Sequence, residues 1–185
     1  PVKNPLISDV FSQFYIWKSL IITSFKQFHI PLWNPYSYSG YPLLANLHSG
    51  AFNPLNAFLF LNPFTLGWNL MIVAGIFISA VSMYFFLRIE GYQTKSSLIG
   101  SISYAFSGCV IVWMEFVTIS QVMAWLPLLL LLVKKYYTTS RIKYVAVLAV
   151  VYFCVITVGH FQTWTYATLL TVSYITYLKF SRHYS

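Results

Sequence analysis

The chain has 185 residues, 58% of them hydrophobic, 20% aromatic and only 8% charged, and a soluble domain of this length could not cover so much apolar surface with polar groups. That composition marks an integral membrane protein. Eleven Lys and Arg against three Asp and Glu leave a net charge of +8, a balance that elsewhere suggests nucleic acid; here the basic residues cluster between apolar runs, the pattern of cytoplasmic loops.

Residues 9–28 carry Val10, Phe14, Trp17, Ile21, Phe25 and Phe28 at steps of four, three, four, four and three, while Lys18, Lys26 and Gln27 interrupt any spanning run. The spacing predicts an amphipathic helix lying in the membrane interface. In the stretch IPLWNPYSYSGYPLLANLHSGAFNPLNAFLFLNPF, Pro31, Pro35, Pro42, Pro54 and Pro63 break any continuous helix. It reads as a long structured loop with short helical pieces, and an ordered loop of that size usually serves function. Residues 1–67 thus form one loop region.

The transmembrane region, 68–185, follows. Residues 68–87 are uncharged over the roughly 20 residues a bilayer requires. Two shorter apolar runs, 98–113 and 119–133, flank Glu115. The stretch 144–178 would make a helix of about 52 Å, longer than the roughly 30 Å hydrocarbon core, so it folds at GHFQ, 159–162, into spans 144–159 and 162–178. Gly75 with Ser79, and Ser101 with Ala105, offer small-residue spacings for close helix contact. Cys109 and Cys154 lie in apolar runs without metal-ligand spacing and read as small buried side chains.

Loop charges set the orientation. Arg88, Lys95, Lys134, Lys135, Arg141, Lys143, Lys179 and Arg182 all fall on one side of the five spans, which the positive-inside rule makes the cytoplasm; Lys3, Lys18 and Lys26 lie opposite. The long loop, Glu115 and the GHFQ turn therefore face outward. The chain opens on PVKNP without an initiator Met and stops at KFSRHYS directly after an apolar run, and five spans that start from an outer segment need a helix upstream. The expectation is a fragment of a longer protein. The fold class is all-α: a polytopic transmembrane helix bundle with an interfacial amphipathic helix and a long structured outer loop.

This topology gathers Asp9, His48, Glu115 and His160 on the outer side. A carboxylate at the water edge of an apolar site, with a second acid and histidines nearby, suits a general base and the stabilisation of a leaving phosphate. Asp9, Glu115 and His160 also have plainer readings, and His48 is a weak signal alone. Asp9 after Ser8 fits a helix N-cap; Glu115 fits a solvated turn; His160 fits a hydrated interfacial imidazole. The Trp and Tyr residues form an aromatic belt first and sugar-stacking platforms second.

SDVFSQFYIWK, PLWNPYSYSGYPLLANLHSGAFNPLN, AFSG at 105–108, AWLPLLLLL at 124–132 and GHFQTWTYATLL at 159–170, taken in order, resemble the YfhO family of bacterial multi-pass membrane proteins. That family belongs with the GT-C type glycosyltransferases, whose members act on cell-envelope polymers. The resemblance implies a GT-C-like bundle in the bacterial cytoplasmic membrane that takes a sugar from a polyprenyl-phosphate donor on the extracytoplasmic side and passes it to a cell-envelope polymer or glycolipid. It implies that Asp9 is the catalytic base on the acceptor hydroxyl. Lys18, about two and a half helical turns further on, and His160 are candidates for meeting the leaving phosphate. Gln13, one turn after Asp9, shares its helix face and is placed to bond the carboxylate or a sugar hydroxyl. His48, Glu115 and Gln162 are candidate pocket residues. Many GT-C enzymes carry two adjacent acids in this loop, whereas here Ser8 precedes Asp9, so no tightly held metal and no cofactor are expected, although Glu115 could complete a pair in space. Two other classes stay open: a transporter or flippase for a lipid-linked substrate, against which the charge-free span interiors argue, and a non-catalytic assembly subunit.

Overall fold

The computed structural model of the chain describes residues 9–37 and 39–181; Lys3, Ser8 and Arg182, used above, lie outside the described residues. A π-helical turn, Val10–Phe14, runs straight into α1, Tyr15–Lys26. α1 ends earlier than the expected 9–28 helix: Phe28 takes a positive φ of 57°, its N–H bonds Phe25 O at 3.0 Å and the His29 N–H reaches back to Ser24 O at 2.9 Å. That is a Schellman closure, which satisfies the last carbonyls and turns the chain away. Phe28 is consequently left 98% exposed, off the apolar stripe it was expected to extend.

The long loop is ordered in short pieces. β1, Trp33–Asn34, pairs antiparallel with β2, Tyr41–Pro42, Asn34 facing Tyr41. Two 3₁₀ turns follow, Leu47–Ser49 and Pro54–Phe60. The second starts as the local sequence dictates: Asn53 Oδ1 accepts the Leu55 N–H at 3.1 Å, and Pro54 occupies the first position, where a missing N–H does no harm.

Six more α-helices complete the described chain: α2 Phe64–Ile89, α3 Thr94–Ala105, α4 Gly108–Val112, α5 Ile119–Thr139, α6 Lys143–Thr157 and α7 Phe161–Ser181. Among the described residues, three stretches are long and apolar enough to cross a membrane: 64–89, 94–112 and 119–139. α5 is the central one, half of its apolar stretch being covered by protein against 22% in each of the other two. It packs on α2, α6 and α7; Val122, Leu126, Leu129 and Leu132 meet Val151, Val155 and Ala167 across those contacts. The small-residue spacings lie in helix contacts, for Gly75 and Ser79 on α2 and Ser101 and Ala105 on α3, which packs on α2, are all buried. Large apolar side chains point outward instead, among them Val73, Phe77, Ile99, Val150 and Leu169. An apolar surrounding makes that arrangement favourable, as the lipid of a membrane provides.

The stretch expected to hold spans 144–159 and 162–178 forms two helices separated by a turn at Val158–His160, where Gly159 has φ 94°. α6, at 15 residues, is about 22 Å long, shorter than a bilayer core. α7 is longer but rich in Thr and Tyr. Its Thr165, Thr168, Thr171 and Thr176 hydroxyls bond the carbonyls four residues back, which keeps them satisfied in an apolar setting. The expectation that both cysteines are buried fails for Cys109, which is exposed near the start of α4, and Cys154 is only half-buried. It lies in the stretch of which most faces away from the protein.

Candidate functional site

The segment that opens the described chain carries the first candidate group. Asp9 already has helical backbone angles, and its side chain makes no capping bond. The exposed carboxylate instead accepts a hydrogen bond from Gln13 Nε2 at 3.3 Å, one turn on. Two openings border this turn. Val10 and Phe11, with Trp68, Asn69, Ile72 and Val73 of α2 and with Met114 and Glu115, line an open, mostly apolar groove of about 520 Å³. Ser12, Gln13 and Trp17, with Ser37 and Tyr41 of the loop, line a separate cleft of about 390 Å³.

Phe14 connects these openings to the histidines. Its ring lies edge-on to Trp17 at 5.3 Å, to Phe116 at 5.7 Å and to His48 at 6.3 Å between centroids. His48 in turn meets His160 edge-on at 5.2 Å. His48 thus meets the Phe14 ring and His160 reaches it through His48, whereas Asp9 bonds Gln13 and Glu115 borders the groove. Glu115 sits half-buried in a 3₁₀ turn, Met114–Phe116, that joins α4 to α5. Gln162 stays exposed and bonds Tyr166 Oη at 2.9 Å on its own helix; no contact joins it to the others.

His160 is held by Thr163. Its Nδ1 accepts the Thr163 backbone N–H at 3.3 Å and pairs with Thr163 Oγ1 at 2.6 Å. Accepting at Nδ1 leaves the proton of the neutral ring on Nε2. Burial, aided by the neighbouring His48, pushes its pKa below the usual imidazole value. At neutral pH this ring is therefore an N–H donor rather than a cation.

Lys18 is placed otherwise than the interfacial-helix reading expects. It is 1% exposed, and Nζ donates to Asn56 Oδ1 at 2.8 Å and to Gly50 O at 3.3 Å. Burial pulls its pKa down to about 7. It lines neither opening. The physical reason is the loop, which wraps over α1 and offers carbonyl acceptors on the face that composition alone assigns to water. The same polar set braces the loop and fastens it to the bundle: Asn56 Nδ2 bonds Gly50 O at 2.8 Å within the loop, and Asn53 Nδ2 bonds Gln121 Oε1 of α5 at 2.5 Å. Close approach is possible because two glycines meet there. A Cβ on Gly50 would stand 2.8 Å from Val158 O, and one on Gly159 would overlap Leu47 O.

Three polar residues used here, Asn53, Asn56 and Gln121, carry no motif. The clue in the sequence is the spacing of Asn53 and Asn56 around Pro54 inside an otherwise apolar run. Glu90, the remaining acid, also went unassigned. It receives Lys134 Nζ at 3.1 Å and the Tyr174 hydroxyl, tying the end of α2 to α5 and α7. Among the described residues, no group of three or more His, Cys, Asp or Glu side chains is placed to hold a metal ion.

A bundle of apolar helices, three able to cross a membrane, with an ordered polar and aromatic loop layer at one end, defines a helical membrane protein. The chain belongs to the bacterial membrane protein YfhO family, whose model matches residues 2–157. That match includes Asp9, Gln13, Lys18, His48 and Glu115 and stops before His160 and Gln162. Comparisons with curated proteins and with solved structures find no match.

Proposed function

We propose that this chain carries the base-bearing part of a membrane glycosyltransferase of GT-C type, which transfers a sugar from a polyprenyl-phosphate donor to a cell-envelope acceptor on the outer face of the bacterial cytoplasmic membrane. One observation carries the reading: the Asp9 carboxylate, free of any capping duty and held by Gln13, begins a turn bordered by an apolar groove on a spanning helix and by a polar cleft. In the reaction Asp9 takes the proton of the acceptor hydroxyl as that oxygen attacks the anomeric carbon. The bond from the anomeric carbon to the lipid-phosphate oxygen breaks, and the phosphate leaves with the electron pair.

The groove against α2 suits the apolar chain of the donor. The developing phosphate charge calls for donors. His160 Nε2–H and His48 are the candidates near Phe14, whereas Lys18 spends its N–H groups inside the loop. Asp9 serves as a single base with Ser8 before it, so the reading assigns no resident divalent metal and no cofactor.

The test is sugar transfer from a labelled polyprenyl-phosphate donor in membranes holding the full-length protein, parent against Asp9→Asn at matched levels. Losing a general base should lower the rate by about 100-fold or more. Transfer by Asp9→Asn at the parent rate removes Asp9 from the mechanism; absence of transfer by the parent across several donors removes the enzyme reading.

A further inference from the structure

The cations at the far end of α5 take no part in the scheme so far, and the acids of the chain are all placed elsewhere. Glu115 precedes α5, with the turn that Asp9 begins packed against it. Glu90 is taken by Lys134 at 3.1 Å and by the Tyr174 hydroxyl. α5 has 21 residues, so about 31 Å of helix separates Glu115 from the turn that joins α5 to α6. Lys135, Arg141 and Lys143, in and beside that turn, therefore have no carboxylate partner among the described residues.

Their arrangement is specific. Lys135 Nζ, from the end of α5, lies 5.7 Å from the centre of the Tyr144 ring, and Lys143 Nζ, at the start of α6, lies 5.2 Å from it. Tyr144 packs against the core shared by α5, α6 and α7, so a fixed ring gathers two ammonium groups from different helices. Like charges gathered in this way repel, and an anion bound at the turn relieves the repulsion. Arg141, exposed in the same turn, adds a planar fork suited to phosphate oxygens.

Apolar surface begins where this charge ends. Ile142, between Arg141 and Lys143, is 75% exposed, and Val145, Val147 and Val150 of α6 are exposed after it. α6, at 15 residues, is shorter than a bilayer core, and a helix too short for the bilayer brings its ends to the level where acyl chains meet headgroups. Long Lys and Arg side chains reach the phosphates from that depth. A soluble acidic protein or a nucleic acid would neutralise the cations and leave Ile142 and the valines in water, whereas a phospholipid covers both. With no carboxylate at the turn, nothing meets the ammonium of a zwitterionic headgroup, so a net anionic one is selected.

We infer that the α5–α6 turn binds the headgroup of an anionic phospholipid, whose phosphate meets Lys135, Arg141 and Lys143 while its acyl chains lie along α6. The inference stands apart from sugar transfer and holds whatever the chemistry at Asp9.

The test is photo-crosslinking of the full-length protein in phosphatidylcholine vesicles that carry a trace of phosphatidylglycerol with a diazirine in its acyl chain, the crosslinked peptides being identified by mass spectrometry. Labelling should concentrate on residues 135–150 and be displaced by unlabelled phosphatidylglycerol. A cation at a lipid surface is worth about fivefold in binding, so the phosphatidylglycerol needed for half-displacement should rise by about that factor in Lys143→Gln or Arg141→Gln. It should rise further when Lys135, Arg141 and Lys143 are all replaced by Gln. Lys95→Gln, which removes an exposed cation at the start of α3, should leave it unchanged. Crosslinks spread evenly over the lipid-facing helices, or half-displacement unchanged in both single variants, overturn the inference even if the triple variant fails to fold. Displacement by an equal amount of inorganic phosphate or of an acidic peptide also overturns it, because the turn then takes soluble anions.

Discussion

Replacing Lys18 by Met removes a buried amine but keeps most of its volume, and the consequence depends on pH in a way the structure sets. Burial lowers the amine from 10.5 to about 7, and each unit is worth about 1.4 kcal/mol, so burying the charged form costs roughly 5 kcal/mol. Between those two values the unfolded chain holds the proton and the folded chain does not; stability contributed by this site therefore rises with pH across the window. Below about 7 the full cost stands, and above 10.5 it is gone. Against this, Met leaves Asn56 Oδ1 without its 2.8 Å donor, a loss of about 1–3 kcal/mol. Gly50 O keeps the Asn56 amide at 2.8 Å. Lys18→Met should thus be the more stable protein by about 2–4 kcal/mol at pH 6, the less stable by about 1–3 kcal/mol at pH 10.5, with a crossing near about pH 9. Equilibrium denaturation of the full-length protein in detergent, followed by tryptophan fluorescence from pH 6 to 10.5, reads this difference directly, since other titrating groups cancel between variants. A difference that does not vary with pH refutes the assignment of Lys18 as a buried, depressed amine.

Two further substitutions probe how the loop is fastened. Gly159→Ala forces a side chain into Leu47 O at a backbone φ of 94°; it should cost at least about 1–3 kcal/mol and expose the Leu47–Gly50 segment to proteolysis, which a protease time course checks. Gln121→Leu keeps an apolar fit against α2 but strands the Asn53 amide, whose acceptor is Gln121 Oε1 at 2.5 Å; it should lower stability by about 1–3 kcal/mol, measured in the same denaturation assay, and an unchanged midpoint would show that Asn53 finds another acceptor.

The helix bundle was legible because hydropathy and length report directly on lipid contact, and the small residues at 75, 79, 101 and 105 marked the seams. The turn after α1 was not: a Schellman closure on Phe28 requires a positive φ that nothing in a Phe advertises. For the candidate site, the Asp9 and Gln13 spacing named a pair that the backbone does bring into hydrogen-bond contact. Lys18 shows where such reasoning stops. A lysine on an aromatic-rich helix reads as a surface cation, and only the fold of a loop some 30 residues away, with Gly50 O and Asn56 in reach, makes the interior acceptable to it. Glu90 was missed for the converse reason: next to Arg88 it reads as a solvated loop acid, while its partners, Lys134 and Tyr174, lie 44 and 84 residues on.

The groups proposed for chemistry and the groups that fix their geometry form separate sets. Asp9, Gln13, His48 and His160 are exposed or half-exposed, and the bonds of Asp9 to Gln13 and of His160 to Thr163 are local ones that fix no element against another. Their positions follow from contacts that line neither the groove nor the cleft: Lys18 to the loop carbonyl at residue 50, Asn53 to α5, and Gly159 beneath Leu47, next to His48. The turns bearing His48 and His160 are fastened within a few residues of one of these contacts, and the helical segment that Asp9 begins is fastened through Lys18, about two and a half turns on. A substitution in the buried set should therefore move stability and any activity together, whereas one at Asp9 should move activity alone. That contrast separates a catalytic residue from a positioning one without a bound substrate in view.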